Sequence, residues 1–162
     1  MLVVADTSPI CYLLLIEEID ILPRLYKQVL IPQIVQQELA HERSPQKVRS
    51  WIEQPPRWLM IQSIDVLPHS SLDNLDPGEQ AAITLAQFYN ADLLIIDDLL
   101  GRQVALSYQI QVTGLLGVLD EAAKQRLIDF PTVIARLQQT TFRASPKLIQ
   151  LLLQQYFQNN SS

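Results

Sequence analysis

Two short apolar runs, each ending in aspartate, set the frame of this chain. Leu2–Ala5 runs into Asp6, and Leu93–Ile96 runs into Asp97 and Asp98. Neither run alternates apolar with polar positions, which is the pattern of a strand buried on both faces of a parallel sheet. Gln28–Ile31 and Ile110–Val112 read as two more strands, and Trp58–Ile61 as an extra strand at an edge. Between them the apolar positions recur at helical spacing. Thr7-Ser8-Pro9 offers a hydroxyl and a proline for a helix start, continued by Ile10–Ile16, and Ile21–Tyr26 gives a second short helix. Pro32 opens a helix to about Glu42, and Ser44–Glu53 gives another, closed by Pro55-Pro56. Pro68–Leu75 is polar enough for a loop. Asp76-Pro77-Gly78-Glu79 starts a helix to Tyr89, and Leu100–Tyr108 gives the next. After Thr113-Gly114 the chain is helical to Arg126, then again over Pro131–Gln139 and Ser145–Phe157, with a polar tail at Gln158–Ser162.

Short buried strands alternating with helices predict an α/β fold: a three-layer α/β/α sandwich around a central, mostly parallel sheet of four to five short strands, with extra C-terminal helices. A length of 162 residues suits one domain over 1–157, with a core of about 1–126, a helical extension of about 127–157 and the tail 158–162. Hydrophobic content of 48% against 18% charged residues fits a packed globule and excludes a disordered chain. The one cysteine, Cys11, lies in an apolar run and can form no internal disulfide, which fits a reducing, cytoplasmic setting. No basic leader precedes Asp6, and the apolar runs are far shorter than the roughly 20 residues of a membrane helix, so no membrane association is expected.

A net charge of −5 counts at first against a nucleic-acid partner. The acids nominated below change that picture. Set aside as a group of five, they leave acids and bases balanced over the rest of the chain, and the excess negative charge then belongs to one pocket.

In open parallel sheets, ligands bind outside the carboxyl ends of the strands, at the switch point of strand order. Asp6 and Asp97 end two strands there, although each could instead cap the helix that follows. Glu38 falls on the stripe Ile31, Ile34, Val35, 38, where a buried carboxylate needs a partner or a cation; a frayed helix end near Ala40 would instead release it to water. Glu79 completes a capping-box pattern with Asp76, which accounts for it locally. Asp98 is either a fifth acid or a cap. Several carboxylates at one edge repel, and a divalent cation relieves that repulsion. With no Cys or His at ligand spacing (His41 and His69 stand apart), oxygen donors point to Mg²⁺ or Mn²⁺ rather than zinc.

Val4-Ala5-Asp6-Thr7-Ser8-Pro9, Ile31-Pro32 leading to Glu38-Leu39, Leu75-Asp76-Pro77-Gly78-Glu79, and Ile95-Ile96-Asp97-Asp98 with Gly101-Arg102 resemble the PIN-domain family. With Thr113-Gly114-Leu115-Leu116-Gly117, the chain looks most like a branch related to VapC-type toxin nucleases. The resemblance spans nearly the whole chain. It implies a metal-dependent ribonuclease with Asp6, Glu38, Glu79 and Asp97 as catalytic acids. Metal would be held by Asp6, Asp97, Asp98 and Glu79, with Thr7 and Ser8 supporting the carboxylates. Arg102 would contact phosphate, unless it is an ordinary exposed helix arginine. The implied product carries a 5′-phosphate, and the implied partners are RNA, an antitoxin protein and a second copy of the chain. One departure is that the third acid is usually Asp; Glu79 is one methylene longer, which changes the metal geometry on which activity depends.

Other readings remain at this point. A catalytically weak or inactive PIN-like protein could bind protein or RNA, with Leu148, Ile149, Leu151–Leu153, Tyr156 and Phe157 either forming an interface or covering the domain's own core. Arg43, Lys47, Arg49 and Arg57 either line an RNA path or are ordinary surface charges. A haloacid-type phosphatase would need a second Asp two residues after Asp6, where Ser8 stands. A receiver domain needs its acidic pair on an early strand and a late lysine. A dinucleotide fold needs a glycine-rich turn where Thr7-Ser8-Pro9 stands.

Overall fold

The computed structural model describes residues 1–66 and 69–160. Among these, the sheet is built from β1 (Val3–Ala5), β2 (Val29–Pro32), β3 (Leu59–Gln62), β4 (Leu93–Ile95) and β5 (Val112–Thr113), all parallel, in the order β3-β2-β1-β4-β5. The helices are α1 (Thr7–Leu15), α2 (Ile21–Tyr26), α3 (Gln33–Leu39), α4 (Gln46–Glu53), α5 (Pro77–Phe88), α6 (Leu99–Ser107), α7 (Leu115–Lys124), α8 (Phe130–Gln138) and α9 (Pro146–Asn160). This is the expected three-layer α/β/α architecture. The expected loop over Pro68–Leu75 contains a single 3₁₀ turn at Ser70–Leu72; Pro68 lies outside the described residues, as do Ser161 and Ser162 of the expected tail. The rest of that tail differs from expectation, since α9 continues to Asn160.

The chain forms two compact units, Met1–Leu115 and Leu116–Ser162. The first holds the whole sheet. Val4 stands level with Leu30 and with Leu94, and Leu94 with Val112, so these four point to one face. There they pack with Ala82, Ile83, Leu85 and Ala86 of α5 and Ala105 of α6. Val3 and Ala5, pointing the other way, are equally inaccessible. A strand buried on both sides cannot show polar alternation, which is why β1 and β4 read as unbroken apolar runs. Burial at both faces also fixes the register, because a slip of one residue would exchange the two sets of side chains.

In the second unit, Phe130 is fully buried and stacks on Tyr156 at 5.9 Å. Asp129 caps α8 through the Thr132 N–H and also accepts from the Tyr156 hydroxyl.

Strand order carries the functional consequence. From β1 the chain steps outward to β2 and β3, then returns to β4 beside β1 and steps the other way to β5. The reversal lies between β1 and β4. Asp6 follows β1 directly and its N–H donates to the Ile95 carbonyl of β4 at 2.9 Å; Asp97 lies two residues beyond Ile95.

Candidate metal centre

Asp6 is the one buried charged or polar residue among the described residues, 5% exposed. It occupies the N-cap position of α1, yet its side chain makes no capping hydrogen bond. The capping alternative therefore does not account for it. Burial pushes its carboxyl up from 3.8 to about 7; the Thr7 N–H works against that rise, while the charges of Asp76, Glu38 and Asp97 add to it.

Glu38 sits in the last turn of α3, which ends at Leu39 rather than near Glu42. It is half-buried and does not fray into water. Its Oε2 accepts from the Thr7 hydroxyl at 2.9 Å, and the Gly78 N–H also donates to the carboxylate. Burial raises its proton affinity, as does the Asp76 charge, while the two donors oppose them. The hydroxyl that meets a site carboxylate thus belongs to Thr7; Ser8, half-buried beside it, donates to none.

Glu79 does form the capping box: its N–H donates to Asp76 Oδ1 at 2.8 Å, and its Oε2 accepts from the Asp76 N–H at 3.3 Å. It also belongs to the acidic group. Burial raises its carboxyl from 4.5 to about 8, with further upward pushes from Asp76, Asp98 and Asp6. Capping and proximity to the other acids, alternatives in the sequence, coexist.

Asp97 is held by the Leu115 N–H, which donates to Oδ1 at 2.8 Å. Burial raises its proton affinity, and the Leu115 N–H and the Arg102 charge lower it. Asp98 resolves as a cap: exposed, at the start of α6, with Oδ2 accepting from the Gly101 N–H at 2.8 Å. Arg102 is half-buried one turn into α6, within the electrostatic reach of Asp97. Of the basic residues following Glu38, Lys47 pairs with Glu17 at 2.8 Å and Arg49 bonds the Ser44 carbonyl and Gln46, which engages both locally.

Asp6 is therefore the hub of an acidic group, under the influence of Glu38, Asp76, Glu79 and Asp97. Asp76 is the member that the sequence assigned only to capping. The group falls short of the single cage expected: among the described residues, no three His, Cys, Asp or Glu side chains stand close enough together to hold an ion. The physical reason is visible in the tethers. Glu38 is tied to Thr7 and Gly78, Glu79 to Asp76, and Asp97 to Leu115.

The donor chemistry nevertheless fits a hard divalent cation. Asp6 Oδ1 and Asp97 Oδ2 are both buried and have no hydrogen-bond partner, although buried polar atoms are nearly always satisfied. Two orphaned carboxylate oxygens flanking the switch point, in an all-oxygen neighbourhood, suit Mg²⁺ or Mn²⁺. A separate cavity of about 890 Å³, lined by Ile64, His69, Leu72, Phe88 and Tyr108 among others, contains none of these acids.

Asp76 yields a direct prediction. Asp76→Asn keeps an oxygen acceptor for the Glu79 N–H but removes a charge that burdens Asp6, Glu38 and Glu79. The variant is expected to have a higher urea midpoint than the parent at pH 7.5 in EDTA, whereas Asp76→Ala loses the cap, worth about 1 kcal/mol. An Asn variant with a midpoint no higher than the parent's would show that the charge of Asp76 is immaterial.

A family model described as a PIN domain matches residues 2–158, nearly the full length. No curated protein and no solved structure matches the chain. No helix among the described residues is long and apolar enough to cross a membrane. The chain belongs to the PIN-domain family, whose members are generally nucleases.

Proposed function

We propose that this protein is a Mg²⁺- or Mn²⁺-dependent endoribonuclease that hydrolyses RNA phosphodiester bonds and leaves 5′-phosphate ends. The observation that carries the reading is the pair of buried, unpartnered oxygens, Asp6 Oδ1 and Asp97 Oδ2, on either side of the sheet's switch point. Asp6 and Asp97 would hold the ion through those atoms. The chemistry supplied by a bound ion is Lewis acidity toward water and toward the phosphate oxygens. Glu38, oriented by Thr7 and Gly78, and Glu79, set at the first turn of α5, would position water or a second ion, with Asp98 contributing at the rim. Arg102, whose charge reaches Asp97, would meet a phosphate oxygen. The proposal extends to a cytoplasmic setting, to a toxin role with an antitoxin protein as partner, and to a homodimer.

One observation favours a second reading, a catalytically weak or inactive PIN-like protein acting as a protein- or RNA-binding module: no three acids gather tightly among the described residues. One experiment separates the two. Incubation of 3′-labelled single-stranded RNA with Mg²⁺, with Mn²⁺ and with EDTA is expected to give ion-dependent cleavage with 5′-phosphate ends, accompanied by Mn²⁺ uptake in calorimetry. Absence of both cleavage and uptake would leave the binding module as the reading.

A further inference from the structure

We propose that Gly78 and Gly114 are positioning residues: they are glycine so that the backbone can press against Glu38 and Asp97 and seat those carboxylates at the centre. This rests on the metal-centre reading above but concerns a packing contact that can be measured without activity.

Glycine is scarce, at 4 in 162 residues, and is not used where backbone conformation asks for it. Among the described residues five adopt positive φ, namely Glu17, Lys27, Asn90, Gln109 and Arg126, and none of these is glycine. Residues with a Cβ occupy the left-handed region only at a steric cost that glycine does not bear. The chain therefore tolerates strain at those turns and places Gly78 and Gly114 in conformations any residue could adopt. What these positions require is space.

The space is specific. A Cβ on Gly78 would lie 2.8 Å from Glu38 Cδ and closer still to both carboxylate oxygens. A Cβ on Gly114 would lie 2.7 Å from Asp97 Oδ1 and 3.4 Å from Arg102 Nη1. In each case a backbone donor completes the contact: the Gly78 N–H reaches Glu38, and the Leu115 N–H, next to Gly114, reaches Asp97 Oδ1 at 2.8 Å. Gly78 is buried in the first turn of α5, one residue before Glu79, so any side chain there must displace the Glu38 carboxylate. Gly101 differs in what it meets: its added Cβ would lie 2.8 Å from the apolar Ile96 Cδ1, and the Asp98 carboxylate oxygen stands back at 3.5 Å.

A size exchange tests the proposal. Glu38→Asp withdraws the carboxylate by one methylene and vacates the place of the new Cβ. With Glu38 present, Gly78→Ala is expected to lower the urea midpoint and weaken Mn²⁺ binding at least tenfold. With Asp at 38, the same change is expected to alter Mn²⁺ affinity less than threefold and to leave the midpoint unchanged or raise it. If Gly78→Ala alone fails to fold while the double variant folds, the proposal is equally supported. Equal losses on both backgrounds, or failure of both to fold, would overturn it and assign Gly78 to the helix start. Should the parent take up no Mn²⁺, the metal reading falls, and the midpoints in EDTA still decide for or against the contact.

Discussion

Replacing Asp6 by Asn is expected to abolish ion-dependent RNA cleavage while making the ion-free protein more stable at pH 8. The two effects share one cause. Asp6 is 5% exposed, and its carboxyl is pushed up to about 7, first by burial and then by Asp76, Glu38 and Asp97. At pH 8 the native state must hold a charge there that the solvent cannot reach. Asn has nearly the same shape and no charge, and its amide N–H groups can donate to the neighbouring carboxylates. The gain has a ceiling of about 4 kcal/mol, set by the free-energy equivalent of the pKa displacement; local rearrangement reduces it. Activity moves the other way. Loss of an outer-shell partner of a metal ligand costs roughly 10–100-fold, and loss of a direct ligand at the hub should exceed that. Stability and rate moving in opposite directions is the signature of a residue kept for function at the expense of the fold. An Asn variant that cleaves RNA at the parental rate would remove Asp6 from the chemistry, and one destabilised in EDTA would remove the account of its burial.

How much of this could be read from the sequence depended on whether the signal was local. β1 and β4 were legible because burial on both faces leaves unbroken apolar runs, and because each run stops at an acid. Glu38 was legible because a carboxylate on the stripe of Ile34 and Val35 violates helical patterning, and its half-buried bond to Thr7 explains the violation. Glu79 and Asp98 were ambiguous for the same physical reason: an Asp or Glu near a helix start satisfies orphan N–H groups whether or not it also faces a ligand. The structure divides them, with Asp98 capping at the surface and Glu79 both capping and facing Asp6. Asp76 was missed as a member of the centre because its capping role is sufficient locally, and its influence on Asp6 and Glu38 depends on tertiary placement. Gly78 and Gly114 carried a signal, being glycines next to acid motifs, but a turn explains glycine equally well until the backbone angles are known. The register of β5, placed at Ile110–Val112 by its apolar run, lies at Val112–Thr113, because pairing with Leu94 and Ile95 fixes it rather than local hydrophobicity.

The stability of the ion-free protein should fall as pH rises from about 4 to about 8, the reverse of ordinary acid denaturation. Asp6 has a folded value of about 7 against 3.8, and Glu79 about 8 against 4.5. An acid whose pKa is raised by folding binds its proton more tightly in the native state. Between the unfolded and folded values the native protein holds more protons than the unfolded chain, and under that condition stability declines with increasing pH. The contribution is complete below about pH 4, is lost through the folded values, and is gone above about pH 8. Asp6 alone accounts for at most about 4 kcal/mol; Glu79 is too exposed for its displacement to be converted into an energy, and it steepens the upper half of the decline. Glu38 and Asp97 are displaced in the same direction. A divalent ion binds the deprotonated carboxylates, so its stabilisation should grow over the same window, reaching about 2.7 kcal/mol at a hundredfold excess over Kd. Thermal denaturation from pH 4.5 to 8.5 should therefore give curves that diverge with pH, the EDTA series falling and the Mn²⁺ series lying progressively above it. An EDTA series that is flat or rising would mean that these acids are not strained by one another, and parallel series would mean that the ion binds somewhere other than at these carboxylates.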